Sequence, residues 1–162
     1  MRASTALTAA LLLGVIFVGA PAGLVRLNEA YGWPRWQSGV SDVVGSLLMF
    51  AGIGLAIYCG NLFKRVGEGT PIPTEPPKRL VISGLYGYSR NPIFVAHIVF
   101  LLGLFLYRGE ITLLVYAVTY AAFNHAWIVL REEPELGSRF GEEYLRYMQE
   151  VPRWVGLRRP PE

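Results

Sequence analysis

The sequence predicts an all-α integral membrane protein with about four transmembrane helices, a tight hairpin between helices three and four, and an amphipathic helix at the C-terminus. Three observations carry that prediction. The 162 residues are 52% hydrophobic and only 17% charged, which is too apolar for an ordinary soluble domain or a disordered chain. Four windows, 3–25, 43–63, 91–107 and 111–130, contain no charged residue, and a helix needs about 20 apolar residues to cross the hydrocarbon core. The basic residues are also lopsided. With a cytoplasmic N-terminus, all of the fifteen Lys and Arg except Arg26, Arg35 and Arg108 fall on the cytosolic side, as positive-inside topology requires. Both termini, the loop 64–90 and the tail 131–162 are then cytosolic. The chain 1–162 reads as one multi-pass domain in the inner (cytoplasmic) membrane.

The first window follows Arg2 and contains Ala20-Pro21-Ala22. That is also the pattern of a signal peptide with a small-residue cleavage site, but the apolar run is long for one. In the second window Gly45, Gly52, Gly54 and Gly60 permit close helix packing. Cys59 is the single cysteine; it excludes a disulfide framework and reads as a small buried residue. Pro71, Pro73, Pro76 and Pro77 prevent a continuous helix in the following loop, which is expected to run extended. The third window opens with Asn91-Pro92, and proline suits the first turn of a helix. The short link Arg108–Glu110 makes helices three and four an antiparallel hairpin. In the tail, Leu136, Phe140, Tyr144, Met148 and Val151 form one apolar stripe over a helix spanning 132–151. Such a helix lies along the interface or caps the bundle. Trp33, Trp36, Tyr107 and Trp154 fall near membrane interfaces, where amphipathic aromatics collect.

The formal net charge of +3 does not indicate a nucleic-acid partner, because the cations flank apolar windows and form no recognition stripe. Dinucleotide, P-loop, zinc-protease and serine-elbow motifs are missing from the sequence. Two histidines without an acidic partner make no metal site. His97 and His125 lie within apolar windows at similar depth. Ionisable residues there are functional candidates, although a hydrogen bond to a neighbouring helix accounts for each equally well. Glu132 and Glu133 either oppose the dipole at the end of helix four or open a new helix before Pro134, where carboxylates are favoured. Arg90, before Asn91-Pro92, is either a positive-inside anchor or part of a site. Because Arg90 and Glu132–Glu133 flank opposite ends of one hairpin on one membrane side, a single pocket is expected to hold a cation, two carboxylates and both histidines.

At this point a resemblance appears. Gly69-Thr70-Pro71-Ile72-Pro73, Pro77 with Leu80-Val81, Gly84-Leu85-Tyr86, Arg90-Asn91-Pro92-Ile93-Phe94, Glu132-Glu133-Pro134-Glu135-Leu136, Phe140-Gly141, Tyr144 and Tyr147, in that order and spacing, resemble the isoprenylcysteine carboxyl methyltransferase and phospholipid methyltransferase superfamily. The resemblance covers roughly 67–151. It implies an integral membrane methyltransferase using S-adenosylmethionine, bound in a cytosol-facing pocket between the loop, the hairpin and the Glu-Glu segment. Asn91 stands where many members have histidine, and Phe94 where many have tyrosine, so neither carries the chemistry of the residue it replaces.

The chemistry of the residues agrees with that implication. A soluble methyl donor reaches its site from the cytosol, and a lipophilic acceptor reaches it from the bilayer. Arg90 suits the cofactor carboxylate. Glu132 or Glu133 suits its ribose hydroxyls or ammonium, and Tyr86 or Tyr88 its cationic centre. Asn91 and Pro92 belong to the same binding segment. Methyl transfer needs mainly positioning. An amine or thiol acceptor also needs a base, for which His97 or His125 is available, with Arg90 as the third catalytic candidate. The acceptor classes left open are a prenyl-cysteine carboxylate, a phospholipid amine and a small lipophilic thiol. The rival readings are a membrane reductase using a nicotinamide cofactor, a non-catalytic scaffold, and a small transporter. The transporter lacks the intramembrane acidic residue it would need.

Overall fold

A computed structural model describes residues 3–70 and 75–156, with side chains from Ala6 onwards. Arg2, Pro71, Ile72, Pro73, Arg158 and Arg159, which enter the sequence reading above, lie outside the described residues. Among the described residues the chain is all helical: α1 (Ala3–Gly14), a π-helical turn (Val15–Gly19), α2 (Ala20–Ala30), α3 (Gly39–Arg65), α4 (Pro92–Arg108), α5 (Ile111–Trp127), a second π-helical turn (Ile128–Glu132), α6 (Glu133–Phe140) and α7 (Glu142–Glu150). Three apolar helices, Ala6–Ala30, Gly39–Arg65 and Ile111–Phe140, are long enough to cross a membrane, and the apolar Pro92–Arg108 is shorter. The predicted hydrophobic windows therefore correspond to helices, with the fourth running ten residues past its charge-free core, to Phe140.

The two π-helical turns have one sequence cause. Each precedes a proline, Pro21 or Pro134, that sits in the first turn of the next α-helix. Proline removes one N–H from the ladder, and its ring crowds the carbonyl four residues back. The chain widens by one residue instead of breaking, so Ala20 N–H donates to Val15 O and Glu133 N–H to Ile128 O. The expectation of a new helix opening at Glu132–Glu133 is thus corrected: the fourth spanning helix runs on through the turn into α6. The tail needs a second correction. Gly141, with φ +55°, divides the expected 132–151 helix into α6 and α7. The apolar stripe survives the break, since Tyr144, Tyr147 and Val151 form a buried cluster with Leu80, Leu136, Phe140 and Met148.

α3 and α4 pack antiparallel with their backbones in near contact. A Cβ on Gly45 would lie 2.5 Å from Tyr107 N, one on Gly52 2.7 Å from Ala96 O, and one on Gly103 2.8 Å from Gly45 O. Gly45, Gly52 and Cys59 recur every seven residues and are the buried positions of α3. This is the small-residue logic of helix association in lipid, where close approach replaces the hydrophobic drive. Gly54 and Gly60 play no part in it, because a Cβ on either would meet nothing within 4 Å. Cys59 is fully buried against Val81 and Tyr86. The first spanning helix runs antiparallel to α5. It is fixed there by Tyr116 Oη donating to Ile16 O (3.0 Å), a carbonyl in the first π turn, and by Thr112 Oγ1 donating to Leu24 O (3.2 Å).

The bundle has two unlike ends. At the hairpin end Gly109, with φ +74°, turns α4 into α5, and its carbonyl accepts from Trp36 N–H. Glu110 is completely buried there and pairs with Arg35 (3.3 Å) and Arg108 (3.1 Å), while Arg108 also approaches Glu29 at 3.7 Å. At the opposite, basic end lie Lys64–Arg65, the loop to Arg90 and the tail. The loop is not the simple extended crossing expected from its prolines. Lys78 N–H donates to Gly67 O (2.7 Å) and Thr70 N–H to Glu75 O (2.8 Å), so the segment doubles back and closes on itself.

Candidate functional site

Four segments distant in sequence meet at the basic end: the turn Gly84–Gly87 with Tyr88 and Ser89, the start of α4, the α5–α6 junction, and the strap that follows α7. The strap is held mainly by backbone groups. Arg90 N–H donates to Pro152 O (2.9 Å), Gly156 N–H to Tyr88 O (3.1 Å), and Asn91 Nδ2 to Arg153 O (3.0 Å). Tyr147 Oη donates to Tyr86 O (2.7 Å) and ties α7 to the 84–87 turn. Asn91 therefore acts through its amide, binding the strap from its place at the head of α4. Pro92 is buried in the first turn that follows.

At the centre is Glu133, whose carboxylate takes Arg90 Nη1 at 2.8 Å, Arg153 Nε at 2.7 Å and Arg153 Nη2 at 2.9 Å. The Arg90 and Glu133 side chains are only 8% and 9% exposed. Charged hydrogen bonds this short, shielded from water, are among the stronger polar contacts in proteins. Of the Glu132–Glu133 pair, Glu133 is the one that meets Arg90 across the α4–α5 hairpin. Arg153 is the member that sequence reasoning missed. It lies twenty residues after Glu133, and only the docking of the Tyr144–Tyr147–Val151 face brings it back.

Two polar groups around this cluster lack a partner among the described residues. Arg90 Nε is buried without a hydrogen bond, and the Tyr86 hydroxyl, equally buried, has only the weak Cys59 thiol as its side-chain partner. The half-buried Glu132 has neither an ion pair nor a hydrogen bond. The Tyr86 hydroxyl lies beside the Cys59 thiol, and burial, reinforced by neighbouring groups, pushes it well above the usual phenol range. Burial also raises the Tyr144 phenol, against the pull of the Arg90 guanidinium beside it. Tyr88 is exposed and, with Leu55, Leu85, Ser89, Pro92, Val95 and Val155, lines an apolar niche of about 120 Å³ next to the cluster.

The histidines do not join this cluster, and they do not share a pocket with each other. His97 Nδ1 is 2.8 Å from Tyr120 Oη, in an aromatic setting made by Phe17 and Phe94. His125 is exposed, accepts from Trp154 Nε1 at 3.3 Å and stacks on that indole. The expectation of two buried histidines at one depth is corrected by helix geometry. The partner of His97 on α5 is Tyr120, and His125 lies five residues, about 7.5 Å, further along the helix.

The family model for phospholipid methyltransferases matches residues 40–143. The chain belongs to the phospholipid methyltransferase family. The matched stretch runs from the start of α3 into α7 and includes Arg90, Glu132 and Glu133; the first spanning helix and Arg153 lie outside it. No curated protein and no solved structure matches the chain. Membership in a phospholipid methyltransferase family, together with helices apolar enough to span a bilayer, makes this a multi-pass membrane methyltransferase.

Proposed function

We propose that the protein transfers a methyl group from S-adenosylmethionine to a lipophilic acceptor, at a site on the basic end of the bundle facing the cytosol from the inner membrane. The observation that carries the reading is the set of unpartnered polar groups around the Arg90–Glu133–Arg153 cluster. The unpaired Arg90 Nε is a donor suited to a carboxylate. The free Glu132 is an acceptor suited to an ammonium or a ribose diol. These complement the zwitterionic cofactor, which when bound supplies an electrophilic methyl on a sulfonium sulfur.

In this reading the chain positions and excludes water. Glu133, held between two guanidiniums, fixes the α5–α6 junction and thereby aims Glu132. Arg90 works chiefly as a positioning residue, since Nη1 already serves Glu133, and offers Nε to the ligand. Tyr88 borders the apolar niche, where it can lie against a cationic centre. Asn91 and Pro92 shape the wall without titrating. For an amine acceptor, His97 with Tyr120 is the better-placed base, being half-buried between helices. His125, exposed and stacked on Trp154, is assigned to anchoring the strap.

The test is transfer of labelled methyl from S-adenosylmethionine into a lipid extract, followed by organic partition and identification of the labelled species. Label is expected in the organic phase with wild-type protein and reduced about 10- to 100-fold with Glu132→Gln, in line with the loss of a charged hydrogen bond. Absence of organic-soluble label across extracts containing prenylated, phospholipid and thiol acceptors would overturn the reading.

A further inference from the structure

A second feature of the basic end is a groove of about 560 Å³ lined by Arg65, Val66, Lys78, Arg79, Leu80, Phe140 and Glu143, a volume in the range of small-molecule sites. None of its three cations belongs to the Glu133 cluster. Its lining is of mixed character: three basic side chains, the apolar Val66, Leu80 and Phe140, and a single carboxylate. Arg65 and Lys78 make no ion pair among the described residues, and Arg79 pairs only with Glu68 (3.0 Å), both ends well exposed. The wall is fixed by backbone bonds, since Gly67 O accepts from both Lys78 N–H and Arg79 N–H. Arg139 donates to Pro77 O and lays its guanidinium 5.2 Å from the centre of the Phe140 ring.

The depth of the groove selects the ligand. The charge-free part of α3, 43–63, is 21 residues, about 31 Å of helix, which matches a hydrocarbon core of about 30 Å. Arg65 at its end is therefore level with lipid headgroups. We propose that this groove binds the phosphodiester headgroup of an anionic phospholipid from the leaflet at the basic end. The cations hold the phosphate, the apolar side chains hold the upper acyl and glycerol carbons, and Glu143 accepts from headgroup hydroxyls. A soluble phosphate would use the cations but leave the apolar side chains exposed. A zwitterionic lipid would place its ammonium against a net positive wall. This site holds or fails independently of the methyl-transfer reading.

The experiment is thermal unfolding of the full chain in a neutral maltoside detergent with added short-chain phosphatidylglycerol, short-chain phosphatidylcholine or inorganic phosphate. Phosphatidylglycerol is expected to raise Tm by about 3–5 °C by mass action, and the other two to leave it within error. The R65Q/K78Q variant should lose most of that rise. R65K/K78R should keep it, and so should K64Q, which removes a neighbouring cation outside the groove. An equal rise with inorganic phosphate would overturn the assignment to lipid. A full rise in R65Q/K78Q, or a loss in K64Q as large as in R65Q/K78Q, would overturn the groove as the site.

Discussion

Glu133 and the residues around it show how far single side chains determine this site. Glu133 shares its carboxylate between two guanidiniums, so losing Arg153 removes two charged hydrogen bonds but leaves Arg90 to neutralise the charge. Arg153→Ala is therefore expected to destabilise the protein by about 1–3 kcal/mol, read as a lowered unfolding midpoint in detergent. In a double-mutant cycle with Glu133→Gln the two losses should be strongly non-additive; simple additivity would mean that the pair is not coupled. Glycines give a cleaner contrast. Gly52→Ala places a methyl 2.7 Å from a carbonyl of α4 and should cost about 2–3 kcal/mol by overpacking, whereas Gly54→Ala meets open space and should be neutral or slightly stabilising. Equal effects at the two positions would contradict the assigned α3 face. The sequence showed that α3 is rich in glycine but not which glycines face a partner. Only the seven-residue recurrence with Cys59 distinguishes them. Arg90 and the Glu132–Glu133 pair were legible because they sit at the edges of apolar windows. Arg153 was not, because nothing local marks a cation as the partner of a carboxylate twenty residues away.

At the scale of elements, the four apolar helices were readable from charge-free windows, since the bilayer imposes both length and composition on a spanning segment. The irregularities were harder to see. Both π-helical turns arise where a proline enters a helix that the membrane does not allow to break, so an internal proline in a spanning segment predicts a widened turn rather than a stop. The second turn sets the rotation of the α5–α6 junction and so the direction of Glu132. Pro134→Ala would let the ladder revert to ordinary α-helical bonding, shifting that direction by up to one residue, roughly 100°. The expected result is unchanged or raised thermal stability with cofactor affinity reduced about tenfold or more. Retained affinity would show that the widened turn is incidental. The tail was misjudged for a different reason: an apolar stripe records which face is buried but not whether the backbone is continuous. Gly141 at positive φ bends the chain while leaving the stripe in register.

At the scale of the whole molecule, the two ends of the bundle are built for different tasks. The hairpin end is a closed polar knot. Gly109 and the buried Glu110 link the 31–38 connection to the α4–α5 turn through Arg35 and Arg108. Gly109→Ala, which needs positive φ and would place a methyl 2.5 Å from Trp36 O, is expected to lower stability by about 2–3 kcal/mol without changing cofactor affinity in the folded fraction. The basic end carries Glu132, the unpaired Arg90 Nε and both cavities described above, whereas the hairpin end leaves the buried Asn28 Oδ1 unpaired. That asymmetry suits the proposed reaction, which joins a water-borne donor to a membrane-borne acceptor. Isothermal titration of the purified protein with S-adenosylmethionine, S-adenosylhomocysteine and NADPH tests it most directly. The first two are expected to bind in the micromolar range and NADPH not at all, with Glu132→Gln weakening the first by about 1–3 kcal/mol. Binding of NADPH alone, or an affinity for S-adenosylmethionine unmoved by Glu132→Gln, would contradict the account.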